Sequence, residues 1–222
     1  MTSVAVLVMT DGRDDCLMDT VPTLDMLGGP ITDRIVHDDT GDPDHHAQLR
    51  RWLPDWQIIA TTRRSGFGGA YRHAYEWLRA TTTATHIFAT EDDFRITRLV
   101  DLTAMAEVLD THPYLAQLAL RRQPWNDVET AAGGIVESRP DNYTDCRSDH
   151  ADWLEHRLFW TTNPSLFPRR ILDRPWPTGL RSEGRFSADL FTDPDVRCGF
   201  WGARDSGEWC HHIGHQRVGH GY

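Results

Sequence analysis

The 222-residue sequence contains no lysine, so all 23 of its basic residues are arginines. This absence excludes every function that requires a lysine amine, including a Walker-type phosphate loop, a Schiff base and a lysine general base. The net charge of −10 also argues against a large nucleic-acid-binding surface, because such surfaces depend on cations that neutralise phosphates. The composition still allows a local arginine-based site.

Cysteines and long apolar runs are also scarce. The four cysteines, Cys16, Cys146, Cys198 and Cys210, form no C-x-x-C pair and are too scattered to indicate a disulfide framework. Every apolar run is far shorter than the roughly 20 residues of a membrane-spanning helix. The N-terminal segment lacks the basic region and cleavage site of a signal peptide. We therefore expect a cytoplasmic protein with no membrane segment.

The first 120 residues alternate apolar runs with amphipathic segments. The alternation predicts an α/β fold with a mostly parallel sheet flanked by helices. Hydrophobic residues make up 39% of the sequence and charged residues 25%, which is a globular composition. The predicted strands are residues 4–9, 31–39, 56–62, 85–90 and 114–120, and the predicted helical segments are 17–27, 44–53, 63–80 and 101–110.

Residues 121–222 have a different character, with many tryptophans and prolines in irregular stretches. No linker or change in composition separates them from the first half. We interpret the chain as one domain, residues 1–222, in which the second half covers the ends of the strands.

A polar cluster follows each of the first four predicted strands. The clusters are "TDGR", "HDD", "RRSGFGG" and "EDD", in chain order. Ligands of parallel sheets bind beyond the carboxyl ends of the strands, so four clusters at such ends indicate one binding site.

The "EDD" cluster places Glu91, Asp92 and Asp93 directly after a buried strand. Adjacent carboxylates repel one another, and raised pKa values or a bound cation relieve the repulsion. Oxygen ligands of this kind suit Mg²⁺ or Mn²⁺. Mg²⁺ is usually held by one or two carboxylates together with phosphate oxygens of the substrate.

The glycine-rich stretch "GFGGAY" does not match the dinucleotide-binding pattern G-x-G-x-x-G, because Tyr71 stands where the third glycine is required. Two interpretations remain. Gly68 and Gly69 either form a tight turn, or they let the backbone approach a ligand, with Arg64 or Arg72 available for a phosphate or carboxylate.

The C-terminal stretch contains four histidines, at positions 211, 212, 215 and 220. The stretch is either a histidine-rich tail without a function, or a segment that folds over the acidic site and adds an imidazole ligand. An imidazole ligand favours Mn²⁺ over Mg²⁺.

Together these motifs, in this order, resemble the GT-A glycosyltransferases, specifically the family-2-like group. The resemblance implies a Rossmann-like fold that binds a nucleotide-diphosphate sugar, and a D-x-D-type element formed by residues 91–93. It implies that Asp93 is a metal ligand, with Mn²⁺ or Mg²⁺ as cofactor. The residues that it assigns to nucleotide-sugar binding are Thr10, Asp11, Arg13, Asp39, Gly68, Gly69, Arg72, Glu91 and Asp92.

The second half resembles the same group more loosely. "TTNPSLFPRRIL" is similar to the strand and helix after the acceptor region, and "RSEGRFSADLF" to the helix that supplies a catalytic carboxylate, here Glu183. "HHIGHQRVGHGY" is similar to a closing tail with a metal-binding histidine, here His212. The resemblance thus divides the domain into a nucleotide-sugar-binding half, 1–120, and an acceptor-side half, 121–222.

The expected activity is metal-dependent and inverting transfer of a sugar to an acceptor hydroxyl. Glu183 is the expected general base, with Asp189 and Asp205 as alternatives. Trp160, Trp176 and Trp201 either pack against sugar rings or belong to the core.

Two other functions stay open, a sugar-phosphate nucleotidyltransferase and a noncatalytic nucleotide- or sugar-binding module. The sequence does not identify the sugar, the base or the oligomeric state. The acceptor is equally open, whether a protein, a glycan, a small molecule or a nucleic-acid base.

Overall fold

The computed structural model describes residues 1–214. Its strands are β1 (Val4–Thr10), β2 (Leu27–Gly28), β3 (Ile31–Asp38), β4 (Gln57–Ala60), β5 (His86–Glu91), β6 (Phe94–Ile96), β7 (Val100–Asp101), β8 (Leu115–Ala119), β9 (Thr144–Arg147), β10 (Asp152–His156), β11 (Ser165–Pro168), β12 (Arg197–Trp201) and β13 (Cys210–His212). Its α-helices are α1 (Asp14–Thr20), α2 (Pro43–Trp52), α3 (Gly66–Thr81), α4 (Leu102–Thr111), α5 (Asp127–Ala132) and α6 (Ser182–Leu190). The described part of the chain also has three 3-10 helices, Val21–Met26, Pro140–Asn142 and Arg169–Asp173. No helix in this part of the chain combines the length and the apolar character needed to cross a bilayer.

The first half alternates strands and helices as the sequence predicts. One segment differs, because the helical region predicted from residue 17 to residue 27 is divided. α1 ends at Thr20, and the chain continues as a 3-10 helix with Pro22 near its start. Proline has no N–H to donate, and its ring clashes with the preceding turn of an α-helix, so the α-helical hydrogen bonding stops here.

β1 is the buried centre of the parallel part of the sheet. All seven of its residues are buried, and it pairs in parallel with β3 on one side and β5 on the other. Alternate side chains of a strand point to opposite faces. Val6 accordingly belongs to the core on one face and Leu7 to the core on the other. Burial on both faces explains why this segment is a continuous apolar run.

Within residues 1–214, nine strands form one sheet, in the order β4-β3-β1-β5-β11-β8-β12-β10-β9. Only β11 and β10 run antiparallel to both of their neighbours, so the other seven strands point the same way. The sheet is therefore mostly parallel, as predicted.

Helices cover both faces of this sheet. α3 and α6 pack on one face, where Tyr75 and Phe186 belong to the same core. α2 and α4 pack on the other face through residues such as Leu49 and Met105. The layers leave the strand ends of the first half open, and loops from both halves meet there.

Strands from both halves belong to the same sheet. β9, β10, β11 and β12 come from residues after 120, and β11 lies between β5 and β8 of the first half. The division of one domain into a donor half, 1–120, and an acceptor half, 121–222, stays a prediction about function.

The three tryptophans considered for sugar packing lie in the core. Trp160, Trp176 and Trp201 are 2%, 1% and 6% exposed. Trp176 stacks between Tyr71 and Phe186, at ring-centroid distances of 4.7 and 4.5 Å. The structure therefore supports the interpretation that these tryptophans belong to the core and not to a sugar-binding surface.

Trp176→Ala should lower the free energy of unfolding by about 3–5 kcal/mol, because it leaves a cavity among stacked aromatic rings. Trp52→Ala is the matched control, because Trp52 is 40% exposed at the end of α2. We expect the control to cost less than about 1 kcal/mol. Chemical denaturation of both variants measures the difference, and equal losses would contradict the placement of Trp176 in the core.

Candidate functional site

A cavity of about 790 Å³ opens at the carboxyl ends of β1, β3, β4 and β5. Its volume is in the range of small-molecule sites. The segment 179–184 of the second half forms its other wall. Of the residues predicted from the sequence, those that line the cavity are Thr10, Asp11, Arg13, Asp39, Gly68, Glu91 and Glu183. The predicted residues outside its lining are Gly69, Arg72, Asp92, Asp93 and His212.

The acidic turn between β5 and β6 is held by the end of β1 and the segment after it. The N–H of Asp92 donates to the carbonyl of Met9 at 2.9 Å, and the hydroxyl of Thr20 donates to the carbonyl of Asp92 at 2.7 Å. The hydroxyl of Thr10 donates to the Asp92 carboxylate at 2.7 Å. Asp92 is therefore a buried structural member of the turn, and Thr10 positions it.

Arg13 supplies the positive charge at this turn. Its guanidinium contacts the carboxylates of both Asp92 and Asp93, one through each terminal nitrogen. Burial acts to lower the pKa of Arg13, but the two aspartates hold it above its ordinary value. Buried like charges require such compensation. Reasoning from the sequence predicted Arg13 beside the nucleotide and missed this ion pairing.

The two aspartates differ in protonation. Burial raises the pKa of Asp92 to about 7, although Arg13 and Thr10 act in the opposite direction. Burial acts to raise the pKa of Asp93 as well, but His212 and Arg13 outweigh it and hold that pKa below its ordinary value. The Oδ1 atom of Asp93 is buried and has no hydrogen-bond partner within residues 1–214. Asp93 is thus a charged carboxylate with one oxygen still available.

β13 brings His212 to the acidic turn. The strand pairs antiparallel with β6, with His212 opposite Phe94. Nε2 of His212 lies 3.0 Å from Oδ2 of Asp93. The imidazole is stacked between Phe94 and Trp125, at ring-centroid distances of 4.4 and 4.2 Å. The structure therefore brings together the two residues that were predicted as metal ligands.

Gln123 holds the backbone of His212. Its side-chain oxygen accepts from the N–H of His212, and its side-chain nitrogen donates to the carbonyl of His212, both at 2.8 Å. Reasoning from the sequence missed Gln123 and Trp125. Their position directly after the predicted strand 114–120 was a signal that could have identified them, since it is a strand end like the other four.

Asp93 and His212 provide an oxygen and a nitrogen donor of the kind that Mn²⁺ accepts. In the described part of the chain, no group of three or more histidine, cysteine, aspartate or glutamate residues is arranged to hold a metal ion. A divalent cation at this position would need further oxygen ligands from a bound molecule, which is common for Mg²⁺ with phosphates.

Glu91 lies on the cavity side of the same turn. The hydroxyl of Tyr71 donates to its carboxyl group at 3.4 Å. Burial raises the pKa of Glu91 to about 8, and the charge of Asp93 adds to the shift. Glu91 is therefore largely protonated at neutral pH, and a protonated carboxyl can donate a hydrogen bond into the cavity.

Glu183 lies in the first turn of α6 and lines the same cavity, where its charge also acts to raise the pKa of Glu91. Its carboxylate accepts from the N–H and the hydroxyl of Thr162, at 2.8 and 3.1 Å. Burial raises the pKa of Glu183, against the effect of these hydrogen bonds. A fixed carboxylate of raised pKa beside a cavity has the properties of a general base.

The two alternative bases lie elsewhere. Asp189 forms an ion pair with Arg174 at 3.1 Å on the surface, and Asp205 is exposed. Neither lines the cavity. Their positions favour Glu183 among the three carboxylates.

Asp39 is engaged with the protein backbone. Its carboxylate accepts from the N–H of Ser65 at 3.0 Å and from the N–H of Gly66 at 2.7 Å, and it also accepts from the hydroxyl of Ser65. These are the first groups of α3, which lack partners inside the helix. Asp39 borders the cavity, and its role in nucleotide-sugar binding stays a prediction.

Two of the three glycines of α3, Gly68 and Gly69, have protein atoms where a Cβ would lie. A Cβ on Gly68 would come within 2.9 Å of the carbonyl oxygen of Pro177 and 3.0 Å of the Ser182 side chain. A Cβ on Gly69 would come within 2.7 Å of Cβ of Ser65. Close packing of α3 against the segment before α6 therefore explains Gly68 without a ligand.

The position of Arg72 differs from the expectation. Its side chain lies on an exposed side of α3, where Nε is 3.2 Å from Glu76, and it borders a separate depression of about 70 Å³. Successive residues of a helix point about 100° apart, so residue 72 turns away from the cavity that residue 71 lines. Arg64, the other arginine considered, lines the main cavity and donates to the carbonyl of Asp11 at 2.6 Å.

His211, the other described histidine of the C-terminal stretch, does not enlarge the cluster. His211 is exposed and lies 2.8 Å from Glu208. His215 and His220 lie outside the described residues.

No family model and no curated protein matches the chain. Solved structures do match it. The mannosyltransferase PcManGT from Pyrobaculum calidifontis, in complex with GDP-Man and Mn²⁺, has 15% identity and a TM-score of 0.63, over 95% of this chain and 56% of that one. TarS 1–349 of S. aureus in complex with UDP-GlcNAc has 15% identity and a TM-score of 0.64, over 98% and 62% of the two chains. The same TarS fragment with UDP has 15% identity and a TM-score of 0.64, over 95% and 60%.

These likenesses show the fold. The chain has the GT-A fold, a Rossmann-like α/β architecture with a mostly parallel sheet, and the prediction of fold class is confirmed. The chain spans between 56% and 62% of the length of these three solved structures.

Glu91→Gln should make the protein more stable at pH 8 than the wild type in metal-free buffer, by about 2–4 kcal/mol. The native state binds the Glu91 proton up to a pKa of about 8, whereas the ordinary value is 4.5. As the pH rises from 4.5 towards 8, the unfolded wild type releases the Glu91 proton and the folded protein keeps it. The free energy of unfolding of the wild type therefore falls over this range. The gain of the variant should therefore vanish near pH 4.5.

Urea denaturation at both pH values measures this difference. Glu107→Gln is the control, because Glu107 is exposed on α4. The same pH dependence in both variants would contradict a buried, protonated Glu91.

Proposed function

We propose that this chain is a metal-dependent, inverting glycosyltransferase that moves a sugar from a nucleoside diphosphate sugar to an acceptor hydroxyl. The observation that carries the proposal is the cluster of Asp92, Arg13, Asp93 and His212 at the carboxyl ends of β1 and β5. The cluster adjoins the cavity that Glu183 also lines. Inverting transfer needs a general base beside the acceptor hydroxyl, and Glu183 is the carboxylate that we assign to this role.

The structural neighbours support the same reaction class. PcManGT was obtained in complex with GDP-Man and Mn²⁺, and the TarS fragment in complex with UDP-GlcNAc. A shared fold is an argument by analogy. What it carries over to this chain is the class of donor, a nucleoside diphosphate sugar.

The donor would lie against the wall formed by the first half. Asp11 and Asp39 border the cavity after β1 and β3, where a base and a ribose offer hydrogen-bond donors. Arg13 lines the cavity while it contacts the two aspartates, so its charge would also attract the anionic diphosphate. Glu91, as a neutral carboxyl, would donate to a hydroxyl of the ribose or the sugar. Asp92 acts on the donor through the turn that it holds.

The residues present fit a divalent cation. Asp93 has one buried oxygen without a hydrogen-bond partner, and the His212 ring is fixed beside its other oxygen. Asp93 and His212 would hold Mn²⁺ or Mg²⁺ together with diphosphate oxygens. The bound cation would neutralise the charge that develops on the leaving diphosphate.

Glu183 would accept the proton of the acceptor hydroxyl as the new glycosidic bond forms. Its burial favours proton uptake, and Thr162 fixes its orientation. The carboxylate comes from the second half of the chain, so the acceptor would enter from that side.

Two other functions make different demands on the site. A sugar-phosphate nucleotidyltransferase needs a glycine-rich, cation-bearing loop after the first strand, whereas the segment "TDGRDD" after β1 contains a single glycine. A noncatalytic module would bind the sugar nucleotide without turnover. Release of nucleoside diphosphate supports the transferase, release of pyrophosphate the nucleotidyltransferase, and binding alone the module.

The donor can be identified by thermal shift with UDP-, GDP-, dTDP- and CMP-sugars in the presence of Mn²⁺. A donor at 100 times its dissociation constant should add about 2.7 kcal/mol of stability. Asp93→Ala should abolish the Mn²⁺-dependent part of that stabilisation. The control Asp25→Ala, at a surface side chain that is 83% exposed, should retain it. Equal Mn²⁺-dependent stabilisation of both variants would refute the metal assignment.

Glu183→Gln should leave donor stabilisation intact and slow the release of nucleoside diphosphate by about 10²–10⁴-fold. The amide keeps the hydrogen-bonding shape of the side chain but cannot take a proton. Asp189→Asn, in the same helix and outside the cavity, should react at the wild-type rate. A near-normal rate for Glu183→Gln would exclude it as the base.

A further inference from the structure

The N-terminus of α6 differs from those of the other long helices. α6 (Ser182–Leu190) begins with no side-chain cap. In contrast, Asp42 and Asp101 cap α2 and α4, and Asp39 accepts from the first N–H groups of α3. The first N–H groups of a helix carry partial positive charge and have no acceptor inside the helix. At α6 these groups adjoin the cavity, which residues 179–184 line.

The Ser182 hydroxyl is a second and independent feature of this helix end. Ser182 is 2% exposed and lines the cavity, and its Oγ has no hydrogen-bond partner within residues 1–214. A buried hydroxyl without a partner is unfavourable and therefore uncommon in native proteins. An acceptor atom of a bound molecule in the cavity would satisfy it.

Arg181 adds a full positive charge at the same place. It is exposed, lines the cavity, and forms no ion pair with the described residues. Its φ of 54° is the only positive value of a non-glycine residue in the described chain. Such a conformation is unfavourable for arginine, and residues held in it concentrate at ligand sites.

We propose that Arg181, the Ser182 hydroxyl and the first N–H groups of α6 bind a phosphate or carboxylate group of the acceptor, so that the acceptor is an anionic molecule. The proposal rests on the proposed function, because the acceptor is placed here by its neighbour Glu183, the assigned base. Glu183 is the nearest negative group on this helix, and its carboxylate is turned to Thr162. A cation, a hydroxyl donor and a helix N-terminus together form an anion site.

Inorganic phosphate is the probe for this site, in metal-free buffer with ¹⁵N-labelled protein. The amide resonances of Ser182, Glu183 and Gly184 should shift and saturate as phosphate is added. Arg181→Gln should raise the phosphate dissociation constant read from these amides about tenfold. The matched control Arg50→Gln, at an exposed arginine of α2, should leave it unchanged. Absence of shifts at these amides, or equal constants in both variants, would overturn the proposal.

Arg181→Gly keeps the experiment informative if the glutamine variant folds poorly. Glycine adopts positive φ without strain, so the loop should keep its conformation while the guanidinium is lost. This variant should also lose about tenfold in phosphate affinity. Wild-type affinity in a folded Arg181→Gly protein would show that Arg181 does not bind the anion.

Ser182→Ala separates a ligand site from a structural hydroxyl. The substitution removes a buried polar group without a partner, so the melting temperature of the free protein should stay the same or rise. Phosphate affinity should fall several-fold. A lower melting temperature, or unchanged affinity, would contradict the role of this hydroxyl as a ligand.

A nucleotide titration distinguishes the two sources of the anion. If the site belongs to the acceptor, saturating UDP or GDP should leave the phosphate dissociation constant at residues 182–184 unchanged. Competition would assign the site to the donor diphosphate and overturn the acceptor assignment. The phosphate titration requires neither donor nor turnover. Its failure is therefore distinct from failure of the donor panel, which tests the proposed transferase.

Discussion

The contact of Arg13 with Asp92 and Asp93 is the interaction on which the rest of the site depends. Two adjacent buried carboxylates cannot both carry charge without a cation nearby. The guanidinium supplies that cation, and His212 together with Arg13 holds the pKa of Asp93 below its ordinary value. β6 begins at Phe94, directly after this turn, and β13 pairs with it. That pairing delivers His212 to Asp93.

The second half of the chain completes the site because it is built into the sheet. β11 lies between β5 and β8 and pairs with both. Thr162, just before β11, is thereby held near β5 and bonds to Glu183 of α6. Glu183 and Glu91, which both line the cavity, are thus held in place by the same strands. A rigid sheet of this kind can keep a donor group and an acceptor group at a constant separation.

The predictions that succeeded and those that did not differ in a physical way. The strand ends and the acidic turn were visible because a buried strand is a local apolar run. Arg72 lies outside the cavity because successive residues of a helix point about 100° apart, and the glycine-rich sequence does not show which side of α3 faces the cavity. The role of Gly68 stayed open because the atom that would clash with its Cβ, the carbonyl oxygen of Pro177, lies far away in the sequence. Gln123 was missed because its partner is the backbone of a distant strand.

The sequence by itself determined the α/β alternation and the edge of the sheet where polar groups gather. It also excluded every mechanism that requires a lysine amine. These follow from the identity and spacing of neighbouring residues. Only the tertiary structure decided which cation meets the acids and which carboxyl groups keep their protons. Arg13 meets Asp93 across 80 residues, and His212 meets it across 119. Burial and ion pairing at such separations arise from the packing of the whole chain, so no local pattern contains them.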